Sequence, residues 1–562
     1  MTQFGTPVLP TYGLPKAIRL VFSTLAILTF ACCALAGWHT AGYALGLATL
    51  VGLSYLYHAR NRDRFVGAQV LVLGAFLVAY AGRIGITNGL LIASGIVTAG
   101  LLLNQELFAG ARPVEVANLP GRGLGGHPLI DPRLAAAAHT GLICLIGVGA
   151  AFGLPIWIIA VCTLIVAGAS IAHVGKEVLR RKRRRQTRRL INKAVDRHQP
   201  EFAVYFSAPP ETEYQVTSWL PYLERIGRPF IIILREPQPF ATISAATTAP
   251  VLVCTAVQDV DNLVVPSLKA VFYVNNGAKN AHMVRFNQLT HIQLLHGDSD
   301  KASSYNPVTA MFDRIFVAGQ AAIDRYADNG VYIDPVKFEI VGRPQIEPIQ
   351  VAGANATPHV NRTVMYGTTW AGLYSDANYC SLEIGPTIVE ELLRREITVI
   401  FRPHPYVERN AETRAQAERV EALLAADRSK SGRAHLFGKE SLAMSLFDCF
   451  NRADAMISDV SAIASDFLYS EKPLALTDMA DDGPGFVRKF PVSKAAHVLR
   501  RDGSNLVAVV DELLQTDSLA ETRRRVKHHY LGDFPADSYA DGFVEASRRE
   551  LLSSRDEVVA AV

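Results

Sequence analysis

The chain has 562 residues, which is too long for one ordinary domain and indicates several structural units. Its net charge of +4 is unevenly distributed, because residues 201–562 carry 36 Lys and Arg against 46 Asp and Glu. This acidic balance excludes a general nucleic-acid-binding surface in the larger part of the chain and places the basic excess in residues 1–200.

Six apolar segments occupy the first third of the chain. A helix that crosses a bilayer needs about 20 predominantly apolar residues. A cleaved signal peptide is not expected, because the first apolar segment is long and others follow it. We therefore predict a multi-pass transmembrane domain over residues 1–175, with spans near 18–38, 41–57, 65–81, 84–106, 135–152 and 155–174.

The charges between these segments alternate. Basic residues precede the first segment and follow the second, the fourth and the sixth, where the run RRKRRRQTRR stands at 180–189. The loops at 38–42 and 152–157 carry no Lys or Arg. The positive-inside rule therefore predicts a cell-membrane protein whose termini and catalytic part are cytoplasmic. The basic run, in a cytosolic linker at 176–200, is interpreted as a topology determinant beside lipid headgroups. A specific anionic-lipid or nucleic-acid contact is the alternative.

From residue 201 onward, short and continuously apolar runs alternate with helix-length segments. Such runs are typical of parallel strands that are covered on both faces, as in βαβ units. The first series is predicted at 202–208, 229–236, 250–256, 270–276, 291–297 and 314–319. The second series is predicted at 363–369, 397–404, 434–438, 455–459 and 473–478.

The stretch 350–363 contains Gly, Pro and Asn without a period and is predicted to be a linker between the two series. The fold class is therefore α/β with two Rossmann-like lobes, the GT-B architecture, behind an α-helical membrane domain. We place the N-terminal lobe, on the acceptor side, at 201–350, the nucleotide-donor lobe at 351–500 and C-terminal helices at 501–562. Ligands are expected at the carboxyl ends of the strands, in the cleft between the lobes.

Polar clusters follow four of the predicted strands and suggest diphosphate recognition with hydroxyl activation. A Ser-rich turn that opens a helix offers hydroxyls and N–H groups to a phosphate, and an Arg or His adds charge and hydrogen bonds. A His with a near-neutral pKa can deprotonate an attacking hydroxyl. Taken singly, these residues are as compatible with a structural His, plain helix N-caps or a solvated Asp. The clusters are His296-Gly297 with Lys301, Gly342-Arg343, Arg402 with His404, and Ser458-Asp459 with Ser461 and Asp466.

Over residues 290–550 the chain resembles the CDP-glycerol glycerophosphotransferases, the family of the teichoic-acid polymerases and primases. The HGDSDK segment resembles the family's HGTPxK at His296, Gly297 and Lys301, and Arg402–Pro405 is the family's RPHP. YGTTWA resembles YAPTWR, with Tyr366, Thr369 and Trp370 shared. SDVSAIASD resembles TDYSSxxFD at Asp459, Ser461 and Asp466, and Gly342-Arg343-Pro344 is similar to a GxPR-type turn. A weaker likeness to a terminal DGxASxR occurs at 541–549.

The resemblance implies transfer of an alditol phosphate from a CDP-activated donor, CDP-glycerol or similar, with release of CMP. The acceptor would be a lipid-linked cell-envelope glycan or polymer, beside membrane lipids, with no nucleic acid as partner. Neither a cofactor nor a metal is expected, because no CxxC pair or His/Cys cluster stands out. The implied catalytic residues are His296 and His404. The implied donor-binding residues are Arg402, Ser458, Asp459, Ser461, Asp466, Gly342, Arg343, Thr369 and Lys301.

The chain departs from the family's motifs at several positions. Asp298 and Ser299 stand where the family has Thr-Pro, Ala462 replaces a Ser, and Ala371 replaces an Arg. Asp298 is expected to orient the ring of His296 or to raise its pKa. Two alternatives stay open, a GT-B glycosyltransferase that uses a nucleotide sugar and a non-catalytic membrane scaffold that binds nucleotide.

Overall fold

The computed structural model describes residues 14–60, 66–104, 115–119, 132–352, 362–371 and 378–552. The chain divides into two compact units, one of residues 1–114 with 124–191, the other of residues 115–123 with 192–562. Most of the predicted linker at 350–363 lies outside the described residues.

The first unit is helical, and its helices coincide with the six predicted apolar segments. Phe76 packs where glycines leave room, since a Cβ at Gly46 or Gly147 would lie 2.5 or 2.6 Å from its ring. Small residues of this kind allow the close helix packing typical of membrane domains. The helices are α1 Leu14–Phe30 (extended by a π-helical turn, Ala31–Leu35), α2 His39–Arg60, α3 Val66–Ile84, α4 Gly89–Leu103, α5 Pro132–Phe152 and α6 Ile156–His198.

Three of these helical stretches are long and apolar enough to cross a membrane, namely Val66–Ile84, Leu134–Phe152 and Ile156–Lys176. Leu20–Leu35 and Gly89–Leu103 are apolar but shorter. The last helix, α6, continues through the basic run and ends at His198, so the predicted linker at 176–200 is helical over most of its length.

The first lobe of the second unit is built on an eight-stranded sheet in the order β1-β4-β3-β2-β5-β6-β7-β8. All neighbours pair in parallel except β1, which is antiparallel to β4. The strands are β1 Val116–Ala117, β2 Phe202–Phe206, β3 Phe230–Leu234, β4 Val251–Val253, β5 Ala270–Tyr273, β6 Thr290–Gln293, β7 Arg314–Val317 and β8 Phe338–Ile340. The helices are α7 Tyr214–Thr217, α8 Leu220–Arg225, α9 Phe240–Ala245, α10 Val257–Asp261, α11 Ala281–Val284 and α12 Gln320–Asp328.

The second lobe has a parallel five-stranded sheet in the order β10-β9-β11-β12-β13. Its strands are β9 Thr363–Thr368, β10 Thr398–Pro403, β11 Ala455–Ser458, β12 Leu474–Asp478 and β13 His497–Arg500. The predicted strand at 434–438 is wrong, because this segment makes a single parallel bridge between Leu436 and Ile400. The helices are α13 Gly385–Arg394, α14 Ala411–Ser431, α15 Gly438–Ala443, α16 Leu446–Arg452, α17 Ala462–Phe467, α18 Phe486–Lys489 and α19 Leu506–Asp511, followed by the π-helical turn Glu512–Thr516.

The last two helices bring the chain back from the second lobe to the first. Helix α20, Ala520–Leu531, contributes Tyr530 and Leu531 to the core of the second lobe. Helix α21, Asp541–Leu552, packs on the first lobe, where the ring of Phe543 lies 5.1 Å from that of Trp219. This return joins the two lobes, so the polar strand ends of both sheets belong to one unit.

Candidate functional site

The carboxyl end of β6 in the first lobe meets the turns that follow β9 and β11 in the second lobe. The Nζ atom of Lys301 donates a hydrogen bond to Oγ1 of Thr369 across the cleft, at 3.1 Å. A Cβ at Gly297 would lie 3.3 Å from the Cβ of Ala462. The structure therefore places the segment from His296 to Lys301, the His296 loop, directly against the Ser-rich turn of the other lobe.

His296 is held by its Nδ1 atom, which lies 2.9 Å from the carbonyl oxygen of Val274. Because a carbonyl only accepts, Nδ1 carries the proton of the neutral ring and Nε2 keeps its lone pair. Burial lowers the pKa of His296, against the opposing effect of this hydrogen bond, and the charge of Arg343 lowers it further. The ring is therefore neutral near pH 7 and able to accept a proton at Nε2.

The backbone before His296 is strained. Leu295 has φ 56°, a left-handed conformation that non-glycine residues rarely adopt. Two hydrogen bonds hold it, one from Trp219 Nε1 to the Leu295 carbonyl at 2.7 Å and one from the Leu295 N–H to Gln293 Oε1 at 3.1 Å. Strand β6 therefore ends at Gln293, earlier than predicted, and the strained turn directs His296. No sequence signal marks this conformation, since neither Gly nor Asn occupies the position.

His404, which follows β10, has the opposite hydrogen-bonding pattern. Its Nδ1 atom accepts the backbone N–H of Tyr406 at 3.0 Å, so the proton of the neutral ring is on Nε2. Burial lowers the pKa of His404 to about 4, and the charges of Lys301 and Arg409 add to this effect. His404 can therefore donate a hydrogen bond at neutral pH but carries no positive charge there. The expectation that it adds charge is corrected.

Aromatic side chains surround both imidazoles. The ring of Tyr214 lies 5.9 Å from that of His296, and those of Tyr406 and Trp370 lie 5.0 and 6.4 Å from that of His404. Trp370 belongs to a motif that the sequence singled out, whereas Tyr214 and Tyr406 had no such signal. These rings contribute to the burial that keeps both histidines neutral.

Asp459 is completely buried, and its carboxylate is occupied by protein donors. It accepts hydrogen bonds from the N–H groups of Thr369 at 2.7 Å and Ser381 at 3.2 Å, and from Thr477 Oγ1 at 2.7 Å. Burial raises its pKa against these hydrogen bonds. We therefore expect Asp459 to hold the turn of Thr369 in place, which revises the prediction that it binds the donor directly.

The two serines of the turn differ in accessibility. Ser458 is fully buried and donates to the carbonyl of Asp459 at 3.1 Å. Ser461 precedes helix α17, is partly exposed, and lies 3.3 Å from the same carbonyl. Ser461 is therefore the better placed of the two to contact a ligand in the cleft.

Arg343 and Asp466, both predicted to bind the donor, pair with each other. Nη2 of Arg343 lies 3.0 Å from Oδ2 of Asp466, and Nε contacts Oδ1. The two side chains are 11% and 4% exposed. Gly342, with φ 74°, allows the sharp turn that brings Arg343 to this position. The pair links the first lobe to helix α17 of the second, so we now expect a positioning role for both residues.

Arg402 lies near the end of β10, two residues before His404, and its guanidinium is anchored on the second lobe. Its Nη1 atom donates to the carbonyl oxygens of Ser441 and Met444, the latter at 2.8 Å. These bonds satisfy carbonyls at the end of helix α15 and fix the guanidinium beside β10. Nearby Lys301 is largely enclosed, and burial lowers its pKa against the attraction of Asp459.

The expected influence of Asp298 on His296 is wrong. The carboxylate of Asp298 pairs with Nη1 of Arg325 from helix α12, and the pKa of His296 is lowered. At Ser299, the other departure, the backbone N–H donates a hydrogen bond of 3.2 Å to Oγ of Ser304. The negative charge that the sequence adds beside the site is therefore neutralised inside the first lobe.

One known protein family matches the second lobe of the chain. The family described as CDP-Glycerol:Poly(glycerophosphate) glycerophosphotransferase matches residues 352–531, which contain the motifs around Thr369, Arg402, His404, Ser461 and Asp466. No curated protein matches the chain.

Three solved structures similar to this chain share low identity with it. The wall teichoic acid polymerase TagF is 13% identical, over 68% of this chain and 98% of its own, with a TM-score of 0.39. A glycosyltransferase from Rickettsia africae is 12% identical, over 63% and 98%, with a TM-score of 0.40. A UDP-GlcNAc 2-epimerase from Neisseria meningitidis is 9% identical, over 62% and 99%, with a TM-score of 0.39.

The two parallel sheets with facing carboxyl ends establish the GT-B-like α/β fold from the strand order itself. The family match confirms the resemblance that the motifs carried. Residues 352–531 match the CDP-glycerol glycerophosphotransferase family, which indicates that the chain is a transferase.

Proposed function

We propose that the chain transfers an alditol phosphate from a CDP-alditol, CDP-glycerol or a close analogue, to a hydroxyl of a lipid-linked cell-envelope glycan or polymer, with release of CMP. The observation that carries the proposal is a pair of neutral histidines with opposite tautomers. Nε2 of His296 carries a lone pair that can accept a proton, whereas Nε2 of His404 carries a hydrogen that can be donated. A transfer between a hydroxyl and a diphosphate needs one proton acceptor and one hydrogen-bond donor.

In the proposed reaction, Nε2 of His296 takes the proton of the acceptor hydroxyl. The hydroxyl oxygen attacks the phosphorus that bears the alditol and forms a new P–O bond. The P–O bond to CMP breaks, and its electron pair leaves on CMP. Nε2–H of His404 donates to a diphosphate oxygen, and Lys301 and Arg402 supply positive charge as negative charge develops. Ser461 donates a further hydrogen bond to the donor phosphates.

The membrane part of the proposal is six spans with both termini in the cytoplasm. Two observations support it. The loop charges favour this orientation. Strand β1, between α4 and α5, pairs with β4 of the first lobe at Val116–Leu252 and Ala117–Val251. This pairing supports placing the loop and the lobe on the same side of the membrane, as the proposed orientation requires. Labelling of single introduced cysteines should reach 38–42 and 152–157 only from outside, and labelling of residue 200 from outside would contradict the proposal.

The activity is tested with the full chain in lipid nanodiscs, a lipid-linked acceptor and either CDP-glycerol or UDP-sugars. Acceptor-dependent release of CMP is the expected result. Release of UDP would favour a glycosyltransferase that uses a nucleotide sugar. Binding of CDP-glycerol without release of CMP would favour the non-catalytic scaffold.

A further inference from the structure

Two carboxylates of the His296 loop are buried inside the protein. Asp298 and Asp300 are 9% and 7% exposed, and Arg325 of helix α12 lies between them. Nη1 of Arg325 contacts Oδ1 of Asp298, while its Nε and Nη2 lie 3.2 and 3.1 Å from Oδ1 of Asp300. Arg325 itself is 6% exposed. One guanidinium thus ties two positions of the loop to the first lobe.

Asp300 also holds the loop to the rest of the unit. The hydroxyl of Tyr530, on helix α20, lies 2.9 and 2.8 Å from its two carboxylate oxygens. The N–H of Val492, in the second lobe, donates to its Oδ2 at 2.8 Å. The middle of the loop is therefore fixed by α12, by α20 and by residue 492, while its two ends carry His296 and Lys301 into the cleft.

We propose that Arg325 and Tyr530 are positioning residues for the transfer reaction, and that they act through Asp298 and Asp300 on the placement of His296 and Lys301. The proposal rests on the proposed function in one respect, that His296 and Lys301 act on acceptor and donor. The two carboxylates can hold the His296 loop in place only while they are paired with a counter-charge, because a buried charge without a partner is strongly unfavourable.

Position matters here because both ends of the loop face the other lobe closely. Gly297 approaches Ala462, and Lys301 reaches Thr369 at 3.1 Å. Catalytic geometry tolerates little displacement, and a shift of about 1 Å is able to cost about a hundredfold in rate. A loop released from Asp300 would move both of its ends together.

The first test is Tyr530→Phe, which removes only a hydroxyl. We expect kcat for CMP release to fall about tenfold, with the Kd for CDP-glycerol changed less than twofold. Tyr326→Phe is the matched control, because the hydroxyl of this buried Tyr on α12 donates to Thr309 at 3.2 Å and not to the His296 loop. The control should keep its kcat. Equal kcat in wild type and Tyr530→Phe would overturn the role of Tyr530.

The second test uses the pH profile, which a purely structural role would not move. In Arg325→Met the two loop carboxylates lose their counter-charge, and added negative charge raises the pKa of a nearby His. Arg343, itself paired with Asp466, is the charge whose proximity lowers the pKa of His296, and the ring of Tyr214 lies 5.9 Å away in an edge-to-face contact. We expect the acid limb of the kcat/KM pH profile to move to higher pH in Arg325→Met. In Arg325→Lys the limb should return to its wild-type position.

Arg314→Met is the control for lost stability, since it breaks a different pair, to Glu550 at 2.8 Å, in the same lobe. If Arg325→Met loses stability as this control does but keeps its kcat and acid limb, the positioning role is overturned. If Arg325→Met fails to fold, Tyr530→Phe alone decides.

Hydrogen exchange separates this inference from the proposed function. If the wild-type chain releases no CMP, the proposed function fails, and the loop is then followed by the exchange of its amides at 297–301. Faster exchange in Tyr530→Phe than in Tyr326→Phe would support the role of Tyr530 in holding the loop. Equal exchange in the two variants would overturn it.

Discussion

Replacing His296 by Ala is the most direct test of the proposed base. The structure separates two effects of this change. Loss of the Nδ1 bond to Val274 removes one hydrogen bond, worth about 1 kcal/mol of stability. Loss of the Nε2 lone pair removes general-base assistance, which contributes about 10²–10⁴-fold to the rate. The turn at Leu295 is held by Trp219 and Gln293 without the imidazole, so the loop should keep its path.

We therefore expect His296→Ala to fold, to bind CDP-glycerol normally and to lose at least about 100-fold in turnover, which corresponds to about 2.7 kcal/mol of activation free energy. The assay is CMP release at saturating donor, with donor binding measured separately by calorimetry. In the wild type, the acid limb of kcat/KM should lie below pH 6.5, because burial and Arg343 lower the pKa of His296.

His291 provides a matched control in β6, the strand that precedes His296. It is buried in β6, and both ring nitrogens have protein partners, the hydroxyl of Tyr273 at 2.9 Å and the carbonyl of Phe286 at 3.0 Å. His291→Ala should lower the melting temperature and keep turnover wherever the protein is folded. Near-normal turnover in His296→Ala would eliminate His296 as the base, and loss of donor binding would move it to the phosphate site.

Three further predictions concern the other lobe. Asp466→Ala leaves the buried guanidinium of Arg343 unpaired and should lower the free energy of unfolding by about 3–5 kcal/mol. The double variant Asp466→Leu with Arg343→Met should recover most of this lost stability in thermal unfolding. A double variant as unstable as the single one would refute the reasoning. Ser461→Ala should weaken CDP-glycerol binding by about 1.5–3 kcal/mol in calorimetry, and an unchanged Kd would count against Ser461 as a phosphate ligand. The hydrogen bond from Arg433 holds the pKa of Asp427 well below its usual range, so its stabilising contribution is present above about pH 4 and is lost as pH falls. In Asp427→Asn, the free energy of unfolding should therefore depend less on pH below pH 4 than in the wild type. Parallel curves of unfolding free energy against pH for variant and wild type would disprove this.

Most of the strands could be predicted from the sequence because they are buried on both faces. FAVYF and FIIIL, for example, are apolar at every position, and both strands are fully buried. The strand predicted around Leu436 was wrong because apolar composition alone does not distinguish a strand from a single bridge. Strand β1 was missed because two residues give no periodic signal, and its pairing with β4 depends on a contact distant in sequence.

The members of the candidate site could be found from motifs, but their contacts could not. Arg343 and Asp466 are separated by 123 residues, and nothing in either motif shows that they satisfy each other. Arg325 and Tyr530 belonged to no motif, although Arg325 neutralises Asp298, which the sequence singled out as a departure, and Tyr530 holds the neighbouring Asp300. Such partners are set by tertiary packing, which sequence spacing does not encode.

The two histidines show how one side-chain type obtains opposite tautomers from the backbone groups that it contacts. A carbonyl oxygen faces Nδ1 of His296, whereas an N–H group faces Nδ1 of His404, and each backbone group is fixed by its own strand end. Since burial lowers the pKa of both rings, both stay neutral near pH 7 and keep these tautomers. The proton acceptor then stands on the first lobe and the hydrogen-bond donor on the second. A hydroxyl and a diphosphate bound between them would each meet the ring that its chemistry requires.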